Sequence, residues 1–185
     1  MKKLILSILV SASLIACTNQ ETKKTETTVD KGSGTFTSLD KKSAIIKQLN
    51  EAYLTGDSSI NSPLVRAYYS DTVKVFQHVA NNQENGKTKE TQGGKEFAFS
   101  LSSNHHALYS NIHMTVDNIK TLVFSDGREV TLVWTYWSGT GKFTKEATTV
   151  PVHQAYHWSG DKIVSFKMIY DPTPLNKEIA AATKK

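Results

Sequence analysis

The chain has 185 residues, 22 basic and 17 acidic side chains for a formal net charge of +5, 38% apolar residues and a single cysteine. That length fits one domain with a sizeable core and is too short for two large ones. One cysteine excludes an intramolecular disulfide framework and any zinc site built from several cysteines.

Met1-Lys2-Lys3 is followed by an apolar run from Leu4 to Ala16, broken only by Ser7, Ser11 and Ser13, and then by Cys17. A basic start, a short apolar stretch and small residues make a secretory signal peptide over residues 1–16. The run falls short of the roughly 20 residues that a membrane span needs. Leu14-Ile15-Ala16-Cys17 resembles the lipobox of bacterial lipoproteins. The resemblance implies cleavage before Cys17, a diacylglycerol on its sulfur and an acyl group such as palmitate on the new amino terminus. Several acyl chains, each worth about 0.8 kcal/mol per buried CH2, anchor a protein firmly. The expected location is therefore the bacterial cell envelope, with the membrane as a partner through Cys17. Thr18 is not the aspartate that retains lipoproteins at the inner membrane in some bacteria, so the outer membrane is favoured. Cleavage takes Lys2 and Lys3 with it, so that +5 becomes +3. With no basic cluster on one face, no nucleic acid is expected as a partner. Residues 17–37, rich in Thr, Lys, Glu and Gly, have almost nothing apolar to bury and read as a flexible tether reaching about 25 Å.

A folded pattern starts at Ser38. Ile45, Ile46, Leu49 and Tyr53 recur at helical spacing, with Ser38 or Asp40 as cap and Gly56 as stop. A short second helix starts at Ser62-Pro63 and carries Leu64, Val65 and Tyr68. Alternation from Asp71 to Val79 predicts a strand, and Asn81 to Gln92 predicts a polar loop. After Gly93-Gly94, Phe97, Leu101 and Leu108 suggest a third helix. A long strand follows from Ser110 to Phe124, with a change of apolar phase near Asp117-Asn118 that predicts a bulge. Asp126-Gly127 signals a hairpin. The next strand, Arg128 to Ser138, places Val130, Leu132, Trp134 and Tyr136 on one face. Gly139 to Lys142 lacks the spacing of a phosphate-binding loop and leads to a strand ending near Trp158. Ser159-Gly160-Asp161 turns the chain into a last strand, Lys162 to Asp171, and a tail helix spans Leu175 to Ala182. Helices first and a meander of strands afterwards predict an α+β fold, with helices on one face of an antiparallel sheet.

The stretch WSGTGKFTKEATTVPVHQAYHWSGDKIVSFKMIYDP, with Thr55-Gly56-Asp57 and Tyr69-Ser70-Asp71 before it, resembles the nuclear transport factor 2-like superfamily and its SnoaL-like, polyketide-cyclase-like branch. The resemblance covers Leu39 to Ile179 and gives a domain of residues 38–185. It implies a cone, in which a strongly bent antiparallel sheet wraps the N-terminal helices and leaves an apolar pocket open at one end. Steroid isomerases of this superfamily use an aspartate at the end of the first strand, where this chain has Val73-Lys74-Val75-Phe76-Gln77-His78. Their oxyanion hole uses a tyrosine where this chain has Leu49, and an aspartic acid where it has His153 or Gln154. With those groups missing, steroid-type isomerisation is not expected.

Cyclases of the SnoaL type use one pocket carboxylate, for which Asp171 is the local candidate; strand alternation and the following Pro172 read it instead as a turn residue. His78, at the end of the first strand, is the other candidate acid/base, its ordinary pKa suiting the role. The six histidines show no metal-ligand spacing: His153 and His157 lie about 13 Å apart along a strand, and His105-His106 point in different directions on a helix. No metal and no cofactor is expected. His153 and His157 belong on the outer sheet face, which in this superfamily often forms a dimer interface, so a homodimer is expected. Trp134, Tyr136, Gln154, Tyr156, Phe166, Met168 and Tyr170, with Tyr53, Tyr69 and Phe76 from the helical side, would line the cone. Aromatic walls with a few polar tips suit a small apolar or aromatic ligand. The reading is a membrane-anchored lipoprotein whose domain binds such a ligand without catalysis. The alternative is a cofactor-independent cyclase or isomerase using Asp171 or His78.

Overall fold

The structure is a computed structural model that describes residues 34–37, 40–56, 62–84 and 87–184, with backbone alone for 78–84 and 87–92. The signal segment, Cys17 and most of the tether lie outside the described residues. The elements in chain order are β1 (Gly34–Thr37), α1 (Lys41–Thr55), α2 (Pro63–Tyr68), β2 (Tyr69–Glu84), β3 (Lys87–Gly93), α3 (Lys95–Leu108), β4 (Tyr109–Phe124), β5 (Glu129–Gly141), β6 (Ala147–Ser159), β7 (Lys162–Tyr170) and α4 (Thr173–Ala182). The strands form one sheet in the order β1-β4-β5-β6-β7-β2-β3.

The α+β class and the helix positions are as the sequence indicates, with three differences. The sheet is mixed rather than antiparallel, because β2 pairs with β7 in parallel, Val75 opposite Phe166 and Gln77 opposite Met168. Hairpin signals report only strands adjacent in sequence, and a parallel pair is by necessity distant in sequence. Asn81 to Gln92 is not a loop: β2 continues to Glu84 and folds back as β3, which pairs along it with a register break after His78. Backbone ladders accept polar side chains where one face meets water, so polarity alone misreads an edge hairpin. Residues 34–37, which read as tether in the sequence, pair with β4 as an edge strand.

The first helix is fixed by its cap. Asp40 accepts from the Ser43 backbone N–H at 2.8 Å and from the hydroxyls of Ser43 (2.9 Å), Thr121 (2.8 Å) and Thr37 (2.9 Å). Thr121 in turn shares a hydrogen bond with Thr131, which accepts from the indole of Trp158. Asp40 thus ties the helix start to β4, β5 and β6 at the end of the sheet beside the β4–β5 hairpin. Burial pushes its carboxyl pKa up, but the bonds from Ser43, Thr121 and Thr37 outweigh that and bring it down to about 2. Beyond the cap, Ile45, Ile46 and Leu49 pack in the core with Val73 and Val75 of β2, Val133 of β5, and Ile163 and Phe166 of β7. The helix ends at Gly56, whose φ of 79° is easiest for a residue without Cβ. Asp40→Ala is expected to cost about 2 kcal/mol, the upper end for a helix cap because four donors lose their acceptor together. A thermal melt should show the midpoint falling by about 6 °C.

Strand β4 carries the expected break between Val116 and Asn118, and a second one after Ser110. On β5 the face assignment is the reverse of the sequence expectation. Thr131, Val133, Thr135 and Trp137 are buried against the helices, whereas Trp134 and Tyr136 are 37% and 46% exposed on the opposite face, where of Val130, Leu132, Trp134 and Tyr136 only Val130 is buried. Both faces of β5 carry large side chains, so alternation alone picks the more apolar face. The helices occupy the other one.

Candidate ligand cavity

A cavity of about 130 Å³ lies between the helices and the sheet. It is comparable to the roughly 150 Å³ of a protein cavity that takes up benzene. Its wall is built in layers. Leu49, Asn50 and Tyr53 come from α1, and Phe99, Leu101 and His105 from α3. Trp137, Tyr156, Phe166 and Met168 rise from the sheet, and Pro174 and Leu175 of α4 close one side. Tyr156 and Phe166 face each other across β6 and β7 and stack with ring centroids 4.5 Å apart. Tyr69 meets Phe99 edge to face at 5.4 Å.

One polar cluster stands in this wall. Trp137 donates its indole N–H to the Tyr53 hydroxyl at 2.8 Å, and the same hydroxyl shares a 2.6 Å hydrogen bond with His105 Nδ1. The adjacent His106 donates Nε2–H to the Tyr53 carbonyl oxygen at 2.8 Å. The two neighbouring histidines leave α3 in different directions, as helical geometry requires, yet both end on Tyr53. Burial, with a smaller contribution from His106, pushes the His105 pKa down to about 4, so its ring is neutral at pH 7. Burial also raises the hydroxyl pKa of Tyr53, Tyr69, Tyr156 and Tyr170. At neutral pH these side chains are uncharged.

Asp171 is the one carboxylate among the described residues of the cavity wall. It is exposed, and its Oδ1 accepts from the Thr173 N–H at 2.9 Å. That bond to the start of α4 lowers its pKa and holds it ionised as a turn residue. His78 lies opposite Glu90 and Ile169 in the sheet, and its side chain is outside the described residues.

Of the residues expected to line the cone, Tyr53, Tyr69, Gln154, Tyr156, Phe166, Met168 and Tyr170 do so. Trp134, Tyr136 and Phe76 do not. Trp134 stacks on His153 at 5.0 Å on the opposite face of the sheet, and Phe76 lies under the Lys167 ammonium, 5.4 Å from its ring centroid. The cavity also takes Asn50, His105, Trp137 and Leu175, which sequence reasoning misses. Asn50 is legible as the position four after Ile46 and three before Tyr53 on the helix, but Trp137 requires the phase of β5, which the sequence leaves open.

Among the described residues no group of three or more His, Cys, Asp or Glu side chains is placed to hold a metal ion, and no helix is long and apolar enough to cross a membrane.

No protein-family model and no curated protein matches the sequence. Solved structures do match in fold. IdmH of Streptomyces antibioticus, a candidate polyketide cyclase, superposes with a TM-score of 0.56 at 14% identity, covering 76% of this chain and 99% of that one. A nuclear transport factor 2-like protein of unknown function from Burkholderia pseudomallei gives 0.51 at 17% identity, covering 75% and 96%. A protein with a ketosteroid isomerase-like fold from Catenulispora acidiphila gives 0.50 at 15% identity, covering 73% and 88%. The chain therefore has the nuclear transport factor 2-like, ketosteroid isomerase-like α+β fold. At these identities the likeness is one of fold, and a fold of this kind does not dictate chemistry.

Proposed function

We propose that this protein is a lipid-anchored binding protein of the bacterial envelope, which holds a small apolar or aromatic ligand in the cavity and performs no reaction on it. The supporting observation is the wall itself: aromatic and aliphatic side chains around a ring-sized space, with its carboxylate at the rim, turned to solvent and accepting from the Thr173 N–H. General acid–base chemistry works best with a group titrating near the working pH. His105 titrates well below it, and the tyrosines above it. A filling substitution, Met168→Trp, is expected to remove the thermal upshift that apolar single-ring compounds give to the wild type while leaving the fold intact by circular dichroism. No shift with any compound in the wild type would count against the reading.

The anchor would be Cys17, and the outer membrane is the favoured site. Intact mass of the membrane-extracted chain should show a diacylglyceryl adduct on an N-terminal Cys17; a freely soluble, unmodified chain would refute it. The partner of the outer sheet face would be a second copy of this chain. Trp134, Tyr136 and Ile169 lie exposed there, and His153 beneath Trp134 has a buried Nε2 with no hydrogen-bond partner among the described residues. An uncharged apolar centre is self-complementary across a two-fold axis, where a charged one would repel its own copy.

A second reading, a cofactor-free cyclase or isomerase, is favoured by the fold shared with the candidate cyclase. It would place Asp171 or His78 as general acid/base. Activity lost in Asp171→Asn or His78→Gln at unchanged melting temperature would support it.

A further inference from the structure

Each polar group in an enclosed wall needs a partner, and a buried donor left without one costs stability. In this cavity Tyr53 is bonded to Trp137 and His105, Thr135 donates to the Thr115 carbonyl, Gln154 accepts from Tyr156, and Asp171 accepts from Thr173. Asn50 differs. Its side chain lines the cavity from the middle of α1, the residue is only 8% exposed, and its Nδ2 has no hydrogen-bond partner among the described residues. Nothing in the helix requires a polar residue there. Its neighbours on the buried face, Ile46 and Leu49, are aliphatic, and leucine has the same branching, with two methyl groups where the amide has its oxygen and nitrogen.

We propose that the Asn50 amide is the anchor for a hydrogen-bond acceptor on the ligand, so that the cavity selects aromatic compounds bearing a carbonyl group over the corresponding hydrocarbons. This rests on the ligand-binding reading above and adds the chemical class. Such a carbonyl would complete the amide, while the ring fills the space among Phe99, Trp137 and Phe166. A site that supplies one buried donor discriminates by leaving that donor unpaired when the wrong ligand enters.

The test uses acetophenone and ethylbenzene, which match in size and differ in the carbonyl, titrated into the full domain by protein-observed NMR. Because the two partition differently from water, the informative quantity is the ratio of their affinities in each variant. Asn50→Leu is expected to lower the acetophenone-to-ethylbenzene ratio about tenfold, chiefly by weakening acetophenone. Asn50→Asp, which replaces the donor by an acceptor, should lower it at least as far. The carbonyl stretch of bound acetophenone should shift to lower frequency in the wild type and not in Asn50→Leu. Removing the orphaned donor should also leave the unliganded Asn50→Leu protein as stable as the wild type or more so. An unchanged ratio with both ligands bound would overturn the assignment of Asn50 while leaving the binding reading intact. Failure of both probes to bind the wild type would overturn the binding reading and this assignment with it.

Discussion

Glu178→Gln is expected to lower stability by about 3 kcal/mol and the melting midpoint by about 10 °C. Glu178 sits on α4 with 1% of its surface exposed, far from the composition expected of a tail helix. Its carboxylate accepts from the Phe143 N–H at 2.6 Å, the Thr144 N–H at 3.1 Å and the Thr144 hydroxyl at 2.6 Å, and so ties α4 to the β5–β6 turn. Gly141 lies so close beneath it that a Cβ there would run into the carboxylate. Glutamine keeps the shape but offers one acceptor where three donors converge, and turns an NH2 group toward backbone N–H groups. Bonds to an ionised acceptor are the strong ones, so losing the charge weakens all three. Burial raises the Glu178 pKa, but the bonds from Thr144, Phe143 and Lys142 outweigh it and set the folded-state value below the ordinary one. Its contribution is therefore complete above the ordinary glutamate range and is lost as pH falls through the lowered value. Melting curves of wild type and Glu178→Gln should converge in acid and separate toward neutrality. A constant gap at all pH values would show that the charge is not what holds α4. Since Pro174 and Leu175 of the same helix wall the cavity, the variant should also bind apolar ligands more weakly.

Trp134→Glu is expected to convert the proposed dimer to a monomer, raising its dissociation constant by at least about a hundredfold. Trp134 is 37% exposed, beside Tyr136 at 46%, and Ile169 is 51% exposed on the same face. Three large apolar side chains gathered on one sheet face favour a partner surface over water. A carboxylate placed there would have to be desolvated twice across a two-fold axis, and would face its own copy. Sedimentation velocity at micromolar concentration reads the change directly. A wild type that is monomeric throughout would overturn the dimer, and a variant that stays dimeric would move the interface elsewhere. The cavity lies on the other side of the sheet, so ligand-induced thermal shifts should persist in the variant.

Part of the cavity is legible in the sequence. Tyr53 follows from helical spacing on α1, and Gln154, Tyr156, Phe166, Met168 and Tyr170 from alternation along β6 and β7, where one face is plainly more apolar. Trp134 and Tyr136 fall outside it for a definable reason. On β5 the face turned away from the helices carries Leu132, Trp134 and Tyr136, while the inner face uses Thr131 and Thr135 to continue the hydroxyl network from Asp40 and to reach the Thr115 carbonyl. A face made partly of threonine reads as outer until its hydrogen-bond partners are known.

By itself the sequence determined what depends on near neighbours. Asp40 and Gly56 bound the first helix, Asp126-Gly127 closes a hairpin, and the phase change near Asp117 breaks the register of β4. These are set by backbone preference and local hydrogen bonds over a few residues. Tertiary structure alone decided the parallel pairing of β2 with β7, the inward phase of β5, the meeting of Tyr53, His105 and Trp137, and the docking of α4 through Glu178. Each joins groups dozens of residues apart, Tyr53 and Trp137 being separated by 84. Contacts at that separation form only when the whole sheet closes around the helices, and no local periodicity encodes them.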